Sequence, residues 1–247
     1  GKDPKSLTGQ ISFKDVHFSY TEEGDKILHG VSFDLNPGKS MAIVGATGSG
    51  KSTIIKLATK LYDGYTGDIT LDKQNISELD PIAMRKKIAI VPQDIVLFDG
   101  SIAFNIGLGI EDDIEKIKIA AKAVGADGFI NRLPGAFDFH IKEQGANLSH
   151  GQRQLIAFAR ALVKRPALVI LDEATSSIDP ESEAIIQDAI AKILSDRSVI
   201  IIAHRLATIR QCDEILVLDK GLVVESGSHD TLIQTKGAYF NLHHALA

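Results

Sequence analysis

The most specific chemistry in the chain lies in one run, Gly45-Ala46-Thr47-Gly48-Ser49-Gly50-Lys51-Ser52-Thr53. It satisfies G-x-x-x-x-G-K-[ST] at every fixed position, the pattern of a loop that wraps a phosphate chain. Glycines open backbone conformations closed to other residues, so successive N–H groups can converge on one anion. The helix expected next adds its partial positive end at the same place. Lys51 can reach the β- and γ-phosphates and the Ser52 hydroxyl can ligate Mg²⁺, with Thr47, Ser49 and Thr53 in the same cradle. A glycine-rich turn before an ordinary helix is the bland alternative, and Lys51 and Ser52 in register after a strand argue against it.

Two carboxylates narrow the chemistry further. The apolar run Ala167-Leu168-Val169-Ile170-Leu171 ends in Asp172-Glu173. Ligands of open α/β sheets bind at the carboxyl ends of strands, so this pair can face the phosphate loop. Asp172 there would hold Mg²⁺, and Glu173 is free to accept a proton from an attacking water. A salt-bridged polar pair closing a strand is the competing reading. His204 follows the apolar run Ser198–Ala203 in the same way and could hydrogen-bond a γ-phosphate or orient a water. Gln93 follows Ile88–Val91 across Pro92, where its amide could ligate Mg²⁺ or the water.

These residues need strands and helices to position them. Met41-Ala42-Ile43-Val44 reads as a buried strand leading into the loop, and Thr53–Leu57 as the helix start behind it. Ile11, Phe13, Val16, Phe18 and Tyr20 alternate with one break, and Ile27-Leu28, Val31, Phe33 and Leu35 repeat the theme after the turn Glu22-Glu23-Gly24-Asp25. Pro37-Gly38 turns the chain into the strand before the loop. Gly67–Asp72 reads as a further strand. From Ser101 to about Val163 the pattern becomes helical. Ile114, Ile117, Ala121 and Val124 share one face behind Glu111, Asp112 and Asp113. Ser149 and Gln152 form a capping box ahead of an apolar face of Leu155, Ile156, Ala159, Leu162 and Val163. Asp179-Pro180 caps a helix carrying Ile185, Ile186, Ala189 and Ile193. Glu214 to Glu225 predicts a hairpin turning at Lys220-Gly221, and the tail from Gly237 a short helix.

The 247 residues, 44% hydrophobic, suffice for one large domain or a domain with subdomains. A net charge of -5 argues against non-specific nucleic-acid binding as the main task, since that needs a basic face. The single cysteine, Cys212, excludes an internal disulfide and reads as a small buried apolar residue in a reducing setting. No apolar run approaches bilayer-spanning length, and no signal-peptide pattern opens the chain. Residues 1–8 are polar and linker-like, leaving 9–247 as the domain.

Taken together the motifs resemble those of the ATP-binding cassette (ABC) ATPases over nearly the whole chain. Leu148-Ser149-His150-Gly151-Gln152 looks like the LSGGQ signature of that family. It stands directly before Arg153-Gln154 and upstream of the strand ending in Asp172-Glu173. Thr175–Asp179 resembles the D-loop, Val91-Pro92-Gln93 the Q-loop, Ala203–Leu206 the switch histidine, and Tyr20 the aromatic that stacks on adenine. Phe98–Ile106 and Glu143-Gln144-Gly145 are similar to exporter segments that touch the membrane domains. The resemblance implies an α/β fold: a P-loop core, an N-terminal antiparallel β subdomain, and an α-helical subdomain inserted at about 95–165. It implies ATP and Mg²⁺ as ligands, with Glu173, His204 and Lys51 catalytic. It also implies a head-to-tail pair in which Ser149, Gly151 and Gln152 of one copy face the ATP of the other.

Expected partners are a second nucleotide-binding domain and the transmembrane domains of an exporter, at the cytoplasmic face of a membrane, with no nucleic acid. His150 departs from the signature's glycine and reads as a solvent-facing side chain in a first helical turn. Two other functions fit the motifs: a soluble ABC ATPase acting on nucleic acid or ribosomes, and a low-turnover regulatory half of an asymmetric pair.

Overall fold

The computed structural model describes residues 7–21, 24–109, 112–173 and 179–246. The expected turn at Glu22-Glu23, the acidic Glu111 and most of the D-loop-like segment, Thr175 to Ile178, lie outside them.

The chain opens with β1 (Ile11–Phe18) and β2 (Leu28–Leu35), paired antiparallel. The break in the alternation is a bulge between Phe13 and Val16, with Asp15 at φ 49°. Next come β3 (Ser40–Val44), α1 (Lys51–Ala58), β4 (Thr66–Leu71) and the short β5 (Gln74–Asn75). Helix α1 starts at Lys51, two residues before the start expected at Thr53. Gly50 supplies the left-handed residue at which the loop turns into the helix, so Lys51 and Ser52 belong to its first turn.

Helix α2 (Pro81–Lys87), with Asp80 as N-cap and proline in its first turn, leads into β6 (Ile88–Val91). The following block is mainly helical: α3 (Ile102–Gly107), α4 (Ile114–Ala123), α5 (Asp127–Ile130) and α6 (His150–Leu162). A small ribbon of β7 (Gly100–Ser101), just before α3, and β8 (His140–Ile141), between α5 and α6, runs within it, which a purely helical reading did not include. On α4 the buried positions are Ile117, Ala120 and Ala121, while Ile114 is partly exposed because it sits in the first turn at the helix rim.

The core resumes with β9 (Leu168–Asp172), α7 (Pro180–Leu194), β10 (Ser198–Ile202) and α8 (Leu206–Gln211). The hairpin of β11 (Glu214–Asp219) and β12 (Leu222–Gly227) follows, turning at Lys220-Gly221 as expected. The tail from Gly237 forms the expected helix, α10 (Ala238–Leu246), preceded by a further short helix, α9 (His229–Thr235), that the sequence reading did not include. On α7 the inward face is Ile186, Ala189, Ile190 and Ile193. Ile185 points partly to solvent, one step off the 3.6-residue stripe.

The large sheet runs β12-β11-β3-β10-β9-β6, parallel except for β12, and a second sheet runs β2-β1-β4-β5. Alternation along the central strands separates two cores. Met41, Ile43, Leu168, Ile170, Ile200 and Leu216 pack with β1, β2, β4 and α1. Ala42, Val44, Val169, Leu171, Val199 and Ile201 pack with α6 and α7 and on into the helical block. The parallel sheet is therefore buried on both faces, which explains its near-continuous apolar strands.

Candidate functional site

Strands β3, β10, β9 and β6 lie side by side and parallel, so their carboxyl ends open on one edge of the sheet. Ile43 pairs with Ile202, Ile202 with Asp172, and Val91 with Leu171. Immediately past these pairs stand the phosphate loop, His204, Glu173 and Gln93. Parallel pairing thus gathers residues far apart in the chain.

The loop is pinned on its inner side and open on its outer side. Gly45, Gly48 and Gly50 have φ of 151°, 80° and 107°. A Cβ on Gly45 would stand 2.1 Å from the Leu218 carbonyl oxygen, and one on Gly50 2.8 Å from a Leu28 methyl, whereas one on Gly48 would meet nothing within 4 Å. The Gly221 amide in the hairpin turn donates to the Ser49 carbonyl at 2.9 Å and anchors the loop's floor. Lys51 is buried, and its Nζ donates to the carbonyls of Gly45 at 2.7 Å and Ala46 at 2.9 Å. Burial lowers its pKa and the Asp172 carboxylate pulls it back up. Thr47 and Ser52 are exposed on the open side. Thr53 is buried instead, its hydroxyl 3.0 Å from that of Tyr20, so its side chain braces Tyr20.

Tyr20 lies beyond the end of β1 and is 42% exposed, so it is not an aromatic packed inside the sheet. Its ring meets Phe18 and Tyr62 edge to face at 5.0 and 5.2 Å, and Lys56 Nζ lies 5.3 Å from its centroid. Tyr62 and Lys56 are parts of this wall that motif reading missed. The spacing of Lys56, on α1 five residues after Lys51, is the one local signal for it.

Asp172 is half-buried beside Lys51. Burial raises its pKa, His204 and Lys51 draw it down, and Asp94 opposes them. His204 has its pKa lowered by burial and by Lys51, against the pull of Glu173 and Asp172. Gln93 is exposed at the end of β6.

Glu173 differs from the free carboxylate expected of it. It is 7% exposed, and both its oxygens accept hydrogen bonds from the chain itself. Oε2 takes the backbone N–H groups of His204 at 2.8 Å and Arg205 at 3.2 Å. Oε1 takes the Thr208 hydroxyl at 2.7 Å and the Gln187 amide at 3.4 Å. Thr208 and Gln187 carried no motif signal, because their contacts join β9 to α8 and α7.

The Ser149 tip belongs to the helical block. Ser149 Oγ accepts from the Gln152 backbone N–H at 3.1 Å, and the Gln152 side chain accepts from the Ser149 N–H at 3.0 Å, a complete capping box. Gly151 brings α6 close to α7, where a Cβ would stand 3.1 Å from Ser182 Cα. His150 is half-buried rather than solvent-facing. Burial and Arg153 lower its pKa, with Asp179 and Arg205 also acting on it. Cys212 is buried as expected. Among the described residues no cluster of three or more His, Cys, Asp or Glu is placed to hold a metal ion. Among the same residues no helix is long and apolar enough to cross a membrane.

A phosphate loop on a buried parallel sheet, an antiparallel sheet on one face and an inserted helical block with its own capped serine define a class: P-loop nucleotide-binding α/β domains. Residues 28–176 match the ABC transporter family, and the chain belongs to that family. It is 46% identical over 238 residues to the ATP-dependent lipid A-core flippase of Saccharophagus degradans, covering 96% of this chain and 40% of that protein. It is 42% identical over 247 residues to multidrug resistance protein 1 of Entamoeba histolytica, covering 98% of this chain and 19% of that one. A solved structure of a bacterial Atm1-family ABC exporter with ATP bound superposes with a TM-score of 0.86 at 40% identity, covering 97% of this chain and 42% of the other. The chain therefore spans about two fifths or less of the length of these relatives.

Proposed function

We propose that this chain is the nucleotide-binding domain of an exporter-type ABC transporter, hydrolysing ATP to drive transport through two transmembrane domains at the cytoplasmic face of a membrane. The observation that carries the reading is the convergence of the Lys51 loop, Asp172, Glu173, His204 and Gln93 on one sheet edge. ATP would lie with its phosphates in the Gly45–Thr53 cradle and its adenine against Tyr20. Lys51 would turn from the Gly45 and Ala46 carbonyls to the β- and γ-phosphates, and His204 would donate to the γ-phosphate. Glu173 would accept the proton of the attacking water.

Ser52, Gln93 and Asp172 form a donor set of hard oxygens with one carboxylate. That set suits Mg²⁺, which keeps most of its shell as water and phosphate. Bound there, the ion would neutralise charge developing on the phosphate oxygens.

Among the described residues, the polar partners of the Ser149 tip are Gln152 and Ser182 on α7, none of them in the phosphate loop. A second copy placed head to tail would supply that tip, with Ser149, Gly151 and Gln152, to the triphosphate. For the membrane domains, the partly exposed Ile90, Val96, Phe98 and Phe104 form an apolar landing area beside the helical block. The exporter names of the relatives support this reading over a soluble ATPase on nucleic acid or ribosomes.

Glu173→Gln tests it. The variant should bind ATP with unchanged affinity and lose turnover by about 100-fold or more, the size of a lost general base. Turnover near the wild-type rate would remove Glu173 from the reaction.

A further inference from the structure

Its place after β9 gives Glu173 a reaction to perform, yet four donors of the chain itself occupy its carboxylate. Oε2 is held by the N–H groups of His204 and Arg205, and Oε1 by Thr208 Oγ1 and the Gln187 amide. The hydroxyl of Thr208 has one proton, and the 2.7 Å contact to Oε1 takes it. The Gln187 amide lies 3.1 Å from the same hydroxyl and completes the ring of contacts. Thr208 is fully buried, and Glu173 is 7% exposed. Thr208 lies on α8 and Gln187 on α7, so these contacts hold the carboxylate toward the α7–α8 side. Arg205, whose guanidinium pairs with Glu183 at 3.0 Å, closes the same side.

A general base must offer a lone pair to a water held at the γ-phosphate. A carboxylate whose two oxygens take short contacts from a hydroxyl and two amides is a poorer acceptor and points elsewhere. We infer that Thr208 and Gln187 are positioning residues that latch Glu173 in a docked resting place, and that each turnover requires the carboxylate to leave Thr208 for the phosphate side. The inference rests on the reading of Glu173 as the base. It gives the chain a threshold: the carboxylate is withheld until closure of the site offers it better partners.

Thr208→Val removes the hydroxyl at nearly constant volume, and Thr208→Ser keeps it. In the full-length protein, Thr208→Val should raise kcat for ATP about tenfold, the effect of one charge-assisted hydrogen bond, with KM unchanged. Thr208→Ser should restore the wild-type rate. Amide hydrogen exchange at His204 and Arg205 should quicken in Thr208→Val, because the carboxylate that protects both is loosened. Gln187→Leu provides the same test from α7 should the valine variant fold poorly, with a smaller rise in kcat. An unchanged or lowered kcat in well-folded valine and leucine variants overturns the latch. Glu173→Gln, measured alongside, separates the two levels. If it keeps turnover, the base assignment has failed. If it is inactive while Thr208→Val is no faster than wild type, the latch alone has failed.

Discussion

Lys51 and His204 sit on the same sheet edge, and burial lowers the pKa of both; for Lys51 the Asp172 carboxylate opposes that loss of charge. The same direction holds for His150 and His243, whose pKa values burial also lowers from 6.5. For each, the folded chain binds fewer protons than the unfolded chain between the folded value and 6.5. Their contribution to stability is thus complete above pH 6.5 and is lost as pH falls through the folded pKa. NMR titration of the imidazoles should place His150, His204 and His243 below 6.5, and a value above it for His204 would contradict the electrostatics described. Cys212 is shifted the other way, its thiol pushed up to about 12 by burial and by the nearby carboxylates of Asp213 and Glu173. Alkylation at pH 8 should therefore be at least about a thousandfold slower in the folded protein than in urea, and equal rates would place the thiol in solvent. The residue types of this site were legible in the chain, because each motif is local and each side chain has one evident use. The docking of Glu173 was not, because Gln187 and Thr208 reach it from other elements.

Among the elements, α6 carries the most information per residue. Its N-terminus is set by the Ser149–Gln152 box and its distance to α7 by Gly151. Ser149→Ala should cost about 1 kcal/mol of stability, the usual loss of a helix N-cap, read as a lowered denaturation midpoint. Gly151→Ala should also lower it, since the new methyl would lie 3.1 Å from Ser182 Cα and force α6 and α7 apart. A midpoint equal to wild type would mean the helices separate without cost. Caps, turns and apolar stripes make most elements readable from the amino-acid order alone, including the bulge in β1 and the Lys220-Gly221 hairpin. Pieces that depend on distant partners are not readable in that way. The β7–β8 ribbon has too few residues for a pattern, and α9 is polar outside with one buried anchor, Leu232.

At the scale of the whole molecule, the two sheets and the helical block leave a phosphate loop and a serine tip on separate parts of the chain, and an apolar area at Val96, Phe98 and Phe104 beside them. The area's frame is rigid: buried Asn105 holds the Phe98 backbone at 2.8 Å on both sides, and Arg160 donates to the carbonyls of Asn105 and Val96. Phe104→Asp in the intact protein should leave ATP binding unchanged and lower transport, read as flux per ATP hydrolysed, and undiminished coupling would move the landing area elsewhere. The architecture of core and inserted block was legible from the switch between strand and helix periodicity. Motif resemblance pointed to Phe98–Ile106 as a partner surface, but not to the exposed Ile90 and Val96 beside it, because exposed apolar side chains carry no period. The central claim is that the site is completed by a second copy. Sedimentation of Glu173→Gln over a range of concentrations, with and without ATP and Mg²⁺, tests it most directly. The account predicts a monomer without nucleotide and a dimer with it. A chain saturated with ATP that stays monomeric at every concentration would contradict it.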